Sequence, residues 1–500
     1  MSKRRVFSLS LITLIALALV GSHALASVSH AADGDLDASF GQGGIVSELF
    51  PYPVEGTAYT NAVQADGKVV LVGDVQTPHA DSYGFAVLRL NTNGSPDTSF
   101  GLNGTVITRF SRSDEAAGSV AIQPDGKIIA AGYYTPDSYP DYREYAIARY
   151  LPDGSLDPAF GSGGKVAGAT EYGTLINALV LLPNGKILVA GTKDAGNNKM
   201  WIARFNADGS PDGTFGDGGS ATIPCNQPVA GAECEGFALA VQSDGKALVG
   251  GTARFTDSAG NRRVFALSRF TSNGDVDATF GTGGLTTTEF TYQASVYALA
   301  VTDTGKIVAT GNACCTGGGL AIARYNSNGT PDTGFGAGGK VVVEGAVAGY
   351  TLLLRPGGKM LLAGSVATGT VDADPGTSPT RFGFGNRPDD SSSKGQGAPE
   401  GTVTIYHFAL MQFNADGSFD NDFGSGGKAI TDFGGARDRG YSVAQAPDGK
   451  LVAAGRYTAN EGGHPVERFA AARYSANGTP DTGFGDQGKK VVSPLTSRSS

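Results

Sequence analysis

Between residues 119 and 167 short apolar runs alternate with polar turns. Ser119-Val-Ala-Ile-Gln123 and Ile128-Ile-Ala-Ala131 flank Pro124-Asp125-Gly126-Lys127, and Tyr145-Ala-Ile-Ala-Arg-Tyr150 precedes Leu151-Pro-Asp-Gly-Ser155. Runs of this length bounded by Gly, Asp and Pro predict strands. Asp-Gly between two of them predicts a tight hairpin, because Gly takes the positive φ of the turn. The turn recurs at Asp66-Gly67, Asn184-Gly185, Asp244-Gly245, Thr304-Gly305, Gly357-Gly358 and Asp448-Gly449, which makes seven hairpins. A third strand follows each, ending in Arg89, Arg149, Arg204, Arg269, Gln412 or a like residue, and a second turn leads to a short fourth strand. After the N-terminal stretch no helical period appears.

A signature Asp-x-x-Phe-Gly-x-x-Gly marks the approach to each fourth strand. It occurs eight times, with its Asp at 37, 97, 157, 212, 277, 332, 420 and 481, spaced by 55 to 88 residues. Four short antiparallel strands per unit, repeated seven times, predict an all-β fold: a seven-bladed β-propeller of four-stranded antiparallel blades. Eight fourth-type strands for seven hairpins leave one extra, near Gly44 to Phe50, at the N-terminal end. It is expected to complete the last blade and close the ring, which removes an exposed sheet edge. A linear solenoid is the alternative; the extra half-unit argues against it.

Residues present in every unit are expected to be structural. The signature Asp is expected to pair with the third-strand Arg, and the signature Phe to fill the wedge between blades. Pairs of carboxylates such as Asp208 and Asp212 suggest a calcium loop, but Asn93, Asn273, Asn328 and Asn477 replace the first Asp elsewhere, which suits an Asx turn better. Leu156-Asp157-Pro-Ala-Phe160-Gly161-x-x-Gly164, Gln123-Pro-Asp125-Gly126-Lys127 and Tyr145-Ala-Ile-Ala-Arg149-Tyr150 together resemble the delta-60 repeat family of bacterial secreted and surface proteins. The resemblance implies a propeller-like fold and no defined activity. Units five and six depart from it at Thr304 and Gly357.

Lys3, Arg4 and Arg5, an apolar run from Val6 to Val20, and Ala24-Leu25-Ala26 predict a signal peptide over 1–31, with the propeller over 32–494. Its removal takes the formal charge from −9 to −12. An acidic mature chain disfavours nucleic acid, and no integral membrane segment is expected in it. The chain is expected to be a secreted, periplasmic or cell-surface monomer. Residues 368–402 are rich in Pro, Gly, Ser and Asp and predict a disordered insertion.

Variable loops on a rigid scaffold are where binding is expected. Tyr52, Tyr59, Tyr83, Tyr133, Tyr134, Tyr139 and Tyr142 fall in what read as the variable-face loops of the first two blades. They are the candidate binding residues for a protein or glycan. Cys225 and Cys234 bracket one loop and are expected to pair, while the adjacent Cys314 and Cys315 leave their pairing open. His79, His407 and His464 have no spacing that demands a metal; neither a metal site, a catalytic residue nor a cofactor is expected. The function expected is non-enzymatic binding. The alternative is a polysaccharide lyase or hydrolase with its site at the central opening, to be discriminated by unit-specific polar residues around the axis.

Overall fold

The computed structural model describes residues 45–46 and 56–479, apart from 77–81, 139–141, 169–172, 195–196, 224, 226–228, 230, 259, 292, 314–318, 373–401, 436 and 462–463. The expected signal segment, Tyr52, Tyr139, His79, Cys314 and Cys315 lie outside the described residues.

The chain is a seven-bladed all-β propeller. Each blade is a four-stranded antiparallel sheet, and the only helical element among the described residues is one 3-10 turn at Pro356–Gly358. Blade 2 shows the plan: inner strand Glu115–Ile122, then Ile128–Tyr134, Glu144–Tyr150 and outer Lys165–Ala167. Its first hairpin closes through Gly126 N–H to Gln123 O (2.9 Å), with Gly126 at φ 83°. Blade 7 contributes three strands, Arg439–Gln445, Leu451–Glu461 and His464–Tyr474; the fourth is Ile45–Val46, paired with Ala472 and Ala471. The extra strand therefore closes the ring, as the repeat count predicts.

The signature is the joint between blades. Arg149 Nε lies 2.8 Å from Asp157, and Lys127 lies 3.1 Å from the same carboxylate. The guanidinium also donates to Ala207 O in the next blade and covers the Phe160 ring at 4.7 Å. Gly161 N–H donates to Asp208 O of that neighbour (2.8 Å). The Phe160 ring rests against Gly209, which has no room for a Cβ. Equivalent contacts run from blade 1 to blade 2 through Arg89, and from blade 7 back to blade 1 through Arg473 and Thr92 O. In Asp208 and Asp212 the turn amides and hydroxyls, with Lys186 and Arg204, occupy the carboxylates.

Blade 6 has Gln412 at the third-strand position, and the guanidinium comes from elsewhere. Arg355, on the inner strand Thr351–Arg355, donates to Gln412 Oε1 (2.7 Å) and to Ala476 O of blade 7 (2.5 Å). The residues expected as a disordered insertion begin and end inside a hairpin. Lys359–Asp372 pairs with Thr402–Phe413 up to Asp372 opposite Thr402, while 373–401 lies outside the described residues.

Candidate functional site

The inner strands differ from blade to blade, and the difference lies at a β-bulge. Register slips once along the inner strand of six blades, at Tyr59, Gly118, Asn177, Phe237, Tyr297 and Tyr441. In blade 6 the counterpart is Tyr350, just before the strand. A bulge re-aims a side chain. The second strand has Gly opposite it; a Cβ on Gly132 would stand 2.0 Å from Ala116 O.

Five of the seven residues are aromatic, and they meet at the axis. Ring centroids are 6.0 Å apart for Tyr59–Tyr441, 5.0 Å for Tyr441–Tyr350, 5.4 Å for Tyr350–Tyr297 and 5.9 Å for Tyr297–Phe237. All are buried. Blades 2 and 3 leave the gap in this belt. Gly118 has no side chain, and Asn177 Nδ2 donates to Gly236 O (2.7 Å). Inner strands run from the loop face towards the Asp-Gly turns, so the next residues lie on the turn side of the belt. There Thr60, Ser119, Ala178, Ala238, Ala298 and Thr351 form a small-residue collar around a cavity of about 160 Å³, which Leu179, Leu239 and Leu299 also line. The collar hydroxyls bond across blades: Ser119 Oγ accepts from Leu179 N (3.0 Å), and Thr351 Oγ1 donates to Tyr441 O (2.7 Å).

On the loop side of the belt the residue after the second-strand Gly is unit-specific: Asp74, Tyr133, Thr192, Thr252, Asn312, Ser365 and Arg456. Every one is buried. Asp74 accepts from Thr57 N (3.2 Å) and Tyr59 Oη (2.9 Å). Burial pushes its carboxyl up to about 7, opposed by the Tyr59 hydrogen bond and aided by the neighbouring charge of Glu467. Arg456 forms a 2.7 Å pair with Glu467 and stands 5.9 Å from the Tyr441 ring. A buried acid, an ion pair and an aromatic floor thus meet where blades 7 and 1 join.

The candidate tyrosines do not form one patch. Tyr59 and Tyr133 are strand residues buried at the axis mouth, sharing a cluster with Ala116, and Arg143 covers the Tyr133 ring at 4.5 Å. Tyr134 is half-buried and donates to Gly168 O (2.7 Å). Tyr83 opens a third strand and is half-buried, and Tyr142 is exposed. Cys225 and Cys234 are placed as a disulfide, with Cα atoms 5.6 Å apart. The belt escaped the sequence reading, although a signal exists: each belt residue stands seven positions before its hairpin residue, from Tyr59 and Asp66 to Tyr441 and Asp448.

The blades match a β-propeller repeat family. It is described as "Domain of unknown function (DUF5122) beta-propeller", and the matches cover residues 64–100, 123–160, 182–215, 242–280, 303–335, 401–423 and 446–484. No curated protein matches the sequence. Among solved structures, a protein of unknown function from Dyadobacter fermentans is 12% identical over 86% of this chain and 97% of its own, with TM-score 0.42. A PL25 ulvan lyase bound to a GlcA–Rha3S glycan is 11% identical over 91% and 97%, with TM-score 0.44. The β-propeller domain of a trilobed protease from Pyrococcus furiosus is 11% identical over 84% and 96%, with TM-score 0.39.

Proposed function

We propose that this is an exported, non-enzymatic propeller of the delta-60 type, binding a protein or glycan through the face that carries the variable loops. One observation carries the reading: the two faces are built differently. The turn face repeats the same short hairpins seven times. On the loop face, second and third strands of seven or eight residues in blades 1, 2, 3 and 5 lengthen to 11 in blades 4 and 7 and to 14 and 12 in blade 6. Four extra residues lift a strand end by roughly 13 Å. Such hairpins make walls, and exposed Tyr142 lies on the same face. The aromatic belt narrows the axis beneath it, which favours a ligand resting on the face over one threading the ring.

The test is a screen of the purified chain against immobilised polysaccharides and cell-envelope proteins, followed by Tyr134→Ala/Tyr139→Ala/Tyr142→Ala. Weakened binding with unchanged melting supports the reading. Undiminished binding that instead depends on the turn face refutes it.

A polysaccharide-cleaving enzyme is the second reading, and Asp74 is the observation that favours it. A carboxyl protonated near neutrality over an aromatic floor, beside Glu467, suits general-acid work on a glycosidic oxygen. Release of reducing ends from a bound polysaccharide, abolished in Asp74→Asn, would move the assignment to this reading.

A further inference from the structure

The loop leaving the outer strand of blade 6, Lys428–Thr431, folds back over the third strand Thr402–Phe413 of that blade. Phe408 pairs with Thr431, which sets His407 beside Asp432. Asp438 N–H donates to Tyr406 O (2.9 Å), which brings the far end of the loop to the same place. His407 Nδ1 then lies 3.3 Å from Asp432 Oδ1 and 3.9 Å from Asp438 Oδ2. The three ligand atoms fall within 4.8 Å of one another.

Two facts separate this cluster from a stray ion pair. First, the aimed imidazole nitrogen is left over: His407 Nδ1 is buried and makes no hydrogen bond. The fully buried Asp438 also keeps Oδ1 without one, while its Oδ2, the oxygen nearer His407, accepts from Phe433 N–H (3.0 Å). The amides of Gly435 and Thr458 stand near Asp438, short of hydrogen-bond geometry to Oδ1. Second, the two carboxylates face each other, and among the described residues no Lys or Arg forms an ion pair with either. Two carboxylates and an imidazole nitrogen held this close are a set of ligand atoms that a cation would stabilise together.

We propose that His407, Asp432 and Asp438 bind a single divalent transition-metal cation of the zinc type. One imidazole and two carboxylates suit that class, with ligand atoms about 2.0–2.2 Å from the ion. Two such atoms stand at most about 4.2 Å apart across the ion, and both His407 distances fall inside that limit. Asp432 is 43% exposed, so its side of the cluster is open to the water that completes the coordination. The ion would pin the connection between blades 6 and 7 on the loop face.

The test uses tag-free, chelator-stripped full chain titrated with Zn²⁺ by calorimetry and by thermal unfolding. One ion per chain and a raised melting temperature are expected. His407→Ala and Asp432→Asn should each weaken binding about tenfold or more while keeping the metal-free melting temperature and circular dichroism. His79→Ala/His464→Ala should bind as the parent does. Absence of saturable Zn²⁺ binding by the parent overturns the proposal. So does undiminished binding by the folded His407→Ala and Asp432→Asn variants, or its loss in His79→Ala/His464→Ala alone.

Discussion

A buried carboxylate means opposite things at two positions in this ring. In Asp212 burial alone would raise the carboxyl, but Lys186, Thr214 and Arg204 hold it well below the usual range. In Asp74 burial wins, and the carboxyl rises to about 7. The two titrate stability with opposite sign. A depressed folded value contributes stability above about pH 4 that is lost on acidification. A raised one contributes below about pH 4 and is lost as pH climbs to 7. Asp74 faces Tyr59 in its own blade, Glu467 and Arg456 from blade 7, and Tyr133 from blade 2. Asp74→Asn should therefore flatten the stability profile between pH 4 and 7, with a gain of a few kcal/mol at most at pH 8. Denaturant melts at pH 4, 5.5, 7 and 8 check it; a parallel fall in both proteins would show that Asp74 is not the titrating group. Asp157→Ala has the other outcome. It leaves Arg149 and Lys127 without their shared partner, and a loss of about 3 kcal/mol at pH 7 is expected in urea unfolding. These roles were only partly legible. The Asp–Arg pairing follows from a residue repeated in register with another. Asp74 hides because it occurs once, in a strand whose apolar run reads as ordinary core.

At the scale of elements, the strands and turns were legible because each depends on local chemistry: Asp-Gly sets the hairpin, and apolar runs set the strands. The belt was not, because a bulge breaks the alternation from which facing is read. Tyr59, Tyr133 and Tyr134 looked like loop residues for the same reason; each lies inside a strand that runs further than its apolar run. Blade 6 gives an element-level test. Arg355 replaces, from the inner strand, what the third strand supplies elsewhere. Arg355→Ala should cost as much as Arg149→Ala, and Arg355→Gln/Gln412→Arg should recover most of it, as read by chemical denaturation. Failure of the swap would show that the inner-strand route is specific to this blade's backbone. The long hairpin offers another. Its pairing persists to Asp372 opposite Thr402, so replacing 373–401 by Asn-Gly should leave a type I′ closure and an intact cooperative melt. Loss of cooperativity would mean that the excised segment packs on the ring.

At the scale of the molecule, the ring is held by seven joints, of which one is not covalently continuous. Blade 7 meets blade 1 through the guanidinium contact seen at other joints, Arg473 on Thr92 O, through Asn61 Nδ2 on Val452 O (3.0 Å), and through a shared core that includes Leu71, Leu88, Ala453 and Phe469. The strand Ile45–Val46 is the backbone element peculiar to closure. It adds two paired residues to the outer edge of His464–Tyr474 and so covers a strand that would otherwise present free backbone groups. The side-chain joint should keep the ring shut without it, while the edge would be open to other chains. Ile45→Pro/Val46→Pro removes the backbone donors of that strand. The expected result is a modest fall in melting temperature, of a few degrees, with a concentration-dependent rise in light scattering on warming. Edge pairing between rings would cause that scattering. A variant that melts far below the parent at every concentration would place closure in the strand itself. One that neither melts lower nor associates would show that the seventh blade is complete with three strands.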